Sequence, residues 1–273
     1  MMKILILGGN GFVGSNLATY LSEFYSVQTT SRTSETSLFF DIHKSETYSI
    51  CSDSYDVLIN CIVDYSNSVE DTLTTELASK RNFLKYISKL SCHYIEISSV
   101  SALPENKYAS DYNFSKFLHE EVLQYTLNPS AFPYSVVRFA QIIDANGQSK
   151  KSQGAYHYFV DCFKNKVTLK VFGNPNALRS YMPISVLVQT VKQCIDAKIL
   201  GSHNVIMPDA YSANDLITTF SSILPKSSEE IYYDVSKTAI EYFIPSCSES
   251  FVTLLASFTC EEVFKKSLLN DEV

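Results

Sequence analysis

Residues 3–14 read KILILGGNGFVG, a short apolar run that ends in glycines and leads straight into a helical pattern over 14–23. An apolar run of this length, bounded by glycine, predicts a buried strand. Gly8, Gly9, Gly11 and Gly14 make up half of the chain's 8 glycines. A Cβ at such positions would obstruct a tight turn, the close approach of a ligand, or helix packing on a strand. The following helix offers unpaired N–H groups and the positive end of its dipole to an anion. The bland alternative is a strand-to-helix turn that binds nothing.

Working outward, the same alternation continues. Strands are expected at 3–7, 26–31, 56–61, 93–98 and 135–140, with helices at 14–23, 72–90 and 111–126. That order predicts an α/β chain with a doubly wound parallel sheet, the Rossmann arrangement. After Ile143 the stretch 144–154 turns polar and contains glycine, and regular strand–helix pairs stop. A smaller C-terminal, substrate-binding lobe is expected there, with a helix at 155–164, a strand at 167–172 and a helix at 213–223 capped by Ser212. The division is drawn as a dinucleotide-binding domain over 1–154 and a lobe over 155–273, with a helix at 184–197 packing back on the sheet.

Composition narrows the function. The 273 residues are 45% hydrophobic and 19% charged, an ordinary globular balance. A net charge of −7 opposes polyanionic partners, so neither nucleic acid nor a membrane surface is expected. Seven cysteines without a CxxC pair fit reduced thiols in the cytoplasm, and no metal site is expected, since the five histidines show no ligand spacing. No apolar stretch approaches the roughly 20 residues of a membrane span.

Tyr112 and Lys116 stand four apart on the helix over 111–126, so they share a face. A tyrosine hydroxyl, with a reference pKa of about 10, exchanges protons poorly at neutral pH, and a neighbouring ammonium favours its phenolate. Phe114, Leu118, Val122 and Tyr125 form an apolar stripe roughly opposite, which predicts that the helix buries the stripe and presents the pair. The strand at 93–98 ends in serines, and Ser99, with Ser101 in reserve, is chosen to hold the reacting oxygen at the carboxyl edge of the sheet. The bland readings are a surface tyrosine beside a solvated lysine, and serines that close a strand. The second strand ends in Ser31 and Arg32. An acid there would hold a ribose 2′-hydroxyl and an arginine a 2′-phosphate, so NADP is favoured over NAD. The bland alternative is that Arg32 is a solvated surface residue and that Glu35, close by in sequence, acts as the missing acid.

GGNGFVG at 8–14, SSVS at 98–101 and YNFSK at 112–116, in that order, resemble the extended short-chain dehydrogenase/reductase superfamily, and within it the NAD-dependent epimerase/dehydratase family that modifies nucleotide sugars. The resemblance implies Ser99, Tyr112 and Lys116 as catalytic residues, with Lys116 also on the cofactor. It places Gly8, Gly11, Phe12, Val13, Gly14, Ser31 and Arg32 on the dinucleotide, and Asp41-Ile42 resembles the adenine-contacting pair. VVRFAQIID at 136–144 and VFGNPNALRSYMPIS at 171–185 are similar to later family segments, which implies Ser101, Gln141 and Arg179 on the substrate, Arg179 at its diphosphate. Arg138, inside an apolar strand, reads as functional or structurally paired, and Lys150 and Lys151 as solvated.

Departures sort the activities. Val100 and Ser101 stand where a 4,6-dehydratase carries an acidic pair, and SSVS lacks the cysteine of the 3,5-epimerase-reductases. Glu76 occupies a place where many relatives have asparagine. The reading is therefore NADPH-dependent reduction of a nucleotide-linked 4-keto sugar by a homodimer. A 4-epimerase with retained NAD stands second, and a non-catalytic dinucleotide-binding regulator or a scaffold subunit stands behind it.

Overall fold

The computed structural model describes residues 1–33, 37–63, 68–225, 230–236 and 241–269. Glu35 lies outside them. Seven strands form one sheet: β1 (Lys3–Leu7), β2 (Ser26–Ser31), β3 (Leu38–Phe39), β4 (Val57–Asn60), β5 (His93–Ser99), β6 (Tyr134–Phe139) and β10 (Gly201–Val205), in the order β10-β6-β5-β4-β1-β2-β3. Every pair from β3 across to β6 is parallel, with Leu5 opposite Gln28 on one side and Leu58 on the other. Chain order reverses between β1 and β4, the point at which open α/β sheets bind ligands beyond their carboxyl ends.

The connecting helices are α1 (Phe12–Leu21), α2 over 69–87, and α3 (Asp111–Thr126). Ser68 and Asp71 make a reciprocal capping box at the start of α2. That helix is interrupted by a π-helical turn, Thr72–Glu76, before it resumes as Leu77–Ile87. Period-two alternation puts Leu5 and Leu7 of β1, Leu58 of β4, Tyr94 of β5 and Tyr134 and Val136 of β6 into one buried cluster with Phe83 and Leu84 of α2. Phe83 centres its aromatic contacts, with ring centroids 5.4 Å from Phe40, 5.3 Å from Tyr48 and 6.5 Å from Tyr94. Between α2 and the sheet lies a buried ion pair: Lys80 Nζ is 2.7 Å from both oxygens of Glu96, which also accepts from Asn60 and from the Tyr94 hydroxyl.

Two compact units divide the chain, one of residues 1–139 with 188–204 and one of 140–187 with 205–273. The division falls after Phe139, earlier than the expected residue 154. The reason is that β7 (Gln141–Ile143) already pairs in parallel with β9 (Tyr181–Pro183). The second unit also holds α4 (Gly154–Lys164), β8 (Leu169–Phe172), α6 (Ala213–Ile223), β11 (Ile231–Asp234), α7 (Glu249–Leu255) and α8 (Glu261–Leu269). Helix α5 (Ile184–Asp196) returns the chain to the first unit from Val188 onward. Ser212 caps α6 as expected, in a capping box with Asp215. Tyr156 anchors the second core, ringed by Tyr181, Phe220 and Phe264, with its hydroxyl 2.7 Å from Ser267 Oγ.

His93 is the clearest pH-sensitive element of the first unit. Ser135 gives its hydroxyl hydrogen to the Ile199 carbonyl at 2.5 Å, so His93 Nε2 must donate to Ser135 Oγ across 2.8 Å. Burial, aided by Lys198, pushes the imidazole down to about 4 from 6.5. The unfolded chain therefore takes up this proton first as pH falls. The stabilisation is complete above pH 6.5 and is lost as pH drops through 4. Urea titrations should record a loss of up to about 3 kcal/mol over that window, and His93→Gln should flatten it.

Candidate active site

The turn after β1 is shaped by close approach. Gly8 holds φ +79°, a conformation that favours glycine, and a Cβ on Gly14 would lie 2.3 Å from the Gly8 carbonyl oxygen. A Cβ on Gly9 would lie 2.4 Å from Thr29 Cβ. Gly11 differs. It has ordinary dihedrals as the N-cap of α1, and among the described residues a Cβ there would meet only Gly8 O, at 3.4 Å. Neither backbone strain nor packing requires glycine at 11. What a side chain would fill is the space over the first turn of α1, which carries no acidic residue and no side-chain cap. The residues present thus fit a dinucleotide pyrophosphate, which Gly8, Gly11, Phe12, Val13 and Gly14 could hold.

At the end of β2, Ser31 is buried and its hydroxyl accepts the Thr33 N–H at 3.1 Å, while Arg32 is exposed. Asp41 turns one carboxylate oxygen to the His43 N–H at 3.0 Å, and Ile42 packs on the edge of the core cluster.

Strand β5 separates its serines by alternation. Ser98 points to Glu120, donating at 2.5 Å, whereas the half-buried Ser99 lies on the opposite side with its oxygen accepting the Ser101 N–H at 3.1 Å. Ser101 itself sits in the short turn Val100–Ala102. Two buried asparagines, which the sequence reading missed, tie this turn to α3. Asn106 Nδ2 donates to the Val100 carbonyl at 2.9 Å, and Asn113 Nδ2 donates to the Asn106 carbonyl at 3.0 Å. Residues adjacent to Ser99 and to Tyr112 are thereby joined through two side-chain amides. No motif marks them; only the loop's closure does.

Helix α3 corrects the expected orientation. Its buried residues are Asn113, Glu120 and Leu123. Tyr112, Lys116, Glu120 and Leu123 follow at i, i+4, i+8 and i+11, so the pair lies on the inward face. Phe114, Leu118 and Val122 of the apolar stripe are half-buried, as are Tyr112 and Lys116, and Tyr125 is 80% exposed with the Arg81 guanidinium 5.7 Å over its ring. The inward face is polar because it is paired. Arg138 grips Glu120 with Nε and Nη2 at 2.8 and 2.6 Å and reaches Asn204 at 3.3 Å, which makes Arg138 a structural ion pair. The Lys116 charge reaches the sheet. Burial pushes the Glu96 carboxyl up, but Lys80, Asn60 and Lys116 together outweigh it and hold the group below its ordinary range.

The second unit contains a cavity of about 630 Å³ whose lining includes Gln141, Tyr158, Lys170, Asn174, Arg179 and Tyr242. Gln141 and Arg179 are thus brought together. Arg179 is fixed by a two-way backbone bridge to Tyr211, at 2.9 and 2.8 Å, and its guanidinium lies 4.9 Å over the Tyr242 ring. Lys150 makes an exposed ion pair with Asp161. Among the described residues no group of three or more His, Cys, Asp or Glu could hold a metal ion, and no helix is long and apolar enough to cross a membrane.

Residues 4–205 match the sequence model of the NAD dependent epimerase/dehydratase family. Among curated proteins no sequence matches. A putative epimerase from Burkholderia cenocepacia J2315 is similar in structure, with a TM-score of 0.80 at 16% identity over 98% of this chain and 97% of that one. A UDP-glucose 4-epimerase from Thermotoga maritima, solved with UDP-glucose, has a TM-score of 0.76 at 18% identity over 98% of each chain. A dTDP-glucose 4,6-dehydratase from Bacillus anthracis str. Ames, solved with NAD, has 0.78 at 15% identity over 98% and 96%. At these identities the likeness is one of fold.

The glycines should separate experimentally. Gly14→Ala should lower stability by about 1–3 kcal/mol through overpacking. Gly11→Ala should leave the melting temperature unchanged yet weaken NADH binding, followed by the cofactor's fluorescence, by about tenfold or more.

Proposed function

Because the chain belongs to the NAD-dependent epimerase/dehydratase family, we propose that it reduces a nucleotide-linked 4-keto deoxysugar at the expense of NADPH. The observation that carries the choice of cofactor is the end of β2, where a buried serine hydroxyl stands in place of an acid and Arg32 is exposed beside it. A 2′-phosphate suits that pairing and a bare ribose diol does not.

The bound dinucleotide supplies the hydride. Tyr112 gives its hydroxyl proton to the oxygen that becomes alkoxide at C4. Ser99 donates a hydrogen bond to the same oxygen, its own oxygen already serving the Ser101 N–H. Lys116, one helical turn from Tyr112, favours the phenolate left behind and holds the nicotinamide-side ribose. The serine thus orients the oxygen and the tyrosine moves the proton. In the second unit, Arg179 is read as the diphosphate clamp and Gln141 as a sugar contact. The apolar stripe of α3 is read as the meeting surface of a homodimer.

A 4-epimerase with retained NAD is the second reading, favoured by the solved epimerases with which the chain shares its fold. The two part on stoichiometry. Incubated with NADPH or NADH and a panel of nucleotide-linked 4-keto sugars, the protein should oxidise NADPH in step with product; product without net cofactor loss would favour the epimerase. Tyr112→Phe should cut turnover by about 10²–10⁴-fold while leaving NADPH binding intact, and full activity in that variant would remove Tyr112 from the site. Arg32→Ala should raise KM for NADPH by about tenfold and leave KM for NADH unchanged.

A further inference from the structure

The π-helical turn Thr72–Glu76 faces the same side of α3 that carries Tyr112 and Lys116. The Leu77 N–H reaches back to the Thr72 carbonyl, five residues away, and this widened turn sets Thr72 and Glu76 against α3. Thr72 Oγ1 lies 2.8 Å from Ser115 Oγ, and Glu76 Oε2 lies 3.2 Å from His119 Nε2. Tyr112, Ser115, Lys116 and His119 fall at i, i+3, i+4 and i+7, one continuous face. The residues held by the π turn therefore bracket Lys116 on both sides.

Hydrogen positions follow from the partners. The Thr72 hydroxyl has one hydrogen, shared between the Ser68 carbonyl at 3.2 Å and Glu76 Oε2 at 3.3 Å. The Ser115 hydroxyl completes the contact, 2.8 Å from Thr72 Oγ1. Burial lowers the His119 pKa, with Glu76 opposing and Lys80 and Lys116 reinforcing, so at neutral pH a neutral imidazole donates its Nε2–H to Glu76. Thr72 and His119 both direct hydrogens toward one carboxylate oxygen, Glu76 Oε2. The other, Oε1, is buried with no partner among the described residues. Thr72 is fully buried and Glu76 is 9% exposed. An unpartnered buried acceptor lowers stability, so folding alone is a poor reason for an acid at this position.

We propose that Glu76 is a positioning residue for the Tyr112 and Lys116 face, holding the register of α3 through His119 and, by way of Thr72, through Ser115. The inference rests on the reading of Lys116 as the contact for the nicotinamide-side ribose. It predicts that loss of the acceptor damages recognition of the nicotinamide half of the cofactor and spares the adenine half, which the glycine turn governs.

The test compares NADH with ADP, which lacks the nicotinamide ribose, in the full chain. In Glu76→Leu and Thr72→Val the Kd for NADH should rise about five- to tenfold, the worth of a hydrogen bond. The Kd for ADP should stay unchanged even where the loss of buried hydrogen bonds lowers the melting temperature. Glu76→Gln keeps an acceptor for both partners and should bind NADH like the wild type. Unchanged NADH binding in both Glu76→Leu and Thr72→Val would overturn the proposal. So would parallel weakening of NADH and ADP with a lower melting temperature, the signature of a merely structural role. Thr72→Val retains shape and decides the matter if Glu76→Leu fails to fold. If the wild type binds NADH but turns over no nucleotide sugar, the functional reading fails while this comparison still stands.

Discussion

Gly14 lets the first turn of α1 settle on the Gly8 carbonyl oxygen, at a distance where any other residue would place its Cβ 2.3 Å from that oxygen. Much of the site follows from this contact. It brings the helix N-terminus to the carboxyl end of β1, beside the reversal of strand order between β1 and β4. It leaves the space above Gly11 open although none of the described residues demands glycine there. Parallel pairing then carries the same carboxyl edge across to Ser99 at the end of β5.

A second constraint acts on α3. A helix that turned apolar residues inward would have presented Tyr112 and Lys116 to solvent, where a lysine does little for a neighbouring hydroxyl. Instead the inward face is polar and individually paired: Glu120 with Arg138 and Ser98, Asn113 with Asn106, His119 with Glu76. Buried polar groups of this kind are costly when unpaired and fix one geometry when paired. Rotating α3 would break several of these contacts at once. The pair's position is therefore set by a network built from α2, β5, β6 and the loop after Ser99, together with the packing of Leu123 into the core.

This explains what could be read from the sequence and what could not. Strands β1 and β2, helix α3 and the Ser212 cap are local features, written in apolar runs, glycines and capping residues, and their limits were legible. So was the order of glycine turn, serines and tyrosine–lysine pair. The facing of α3 was not, because it depends on Arg138, which meets Glu120 only once β6 joins the sheet, and on Asn106, a nearby loop residue whose burial no motif announces. The earlier division of the chain after Phe139 escaped for the same reason, since β7 declares itself only by pairing with β9. The π turn at Thr72–Glu76 leaves no mark in hydrophobic periodicity. Asn106 and Glu76 are ordinary polar residues in sequence, and only their burial gives them a part.

The most direct measurement on Ser99, Tyr112 and Lys116 as a hydride and proton site uses NADPH deuterated at the transferable position. Incubated with a nucleotide-linked 4-keto sugar and followed by mass spectrometry, the product should carry one deuterium at C4 for each cofactor oxidised. Product that carries no deuterium, or cofactor that is never consumed, would contradict reduction at this site.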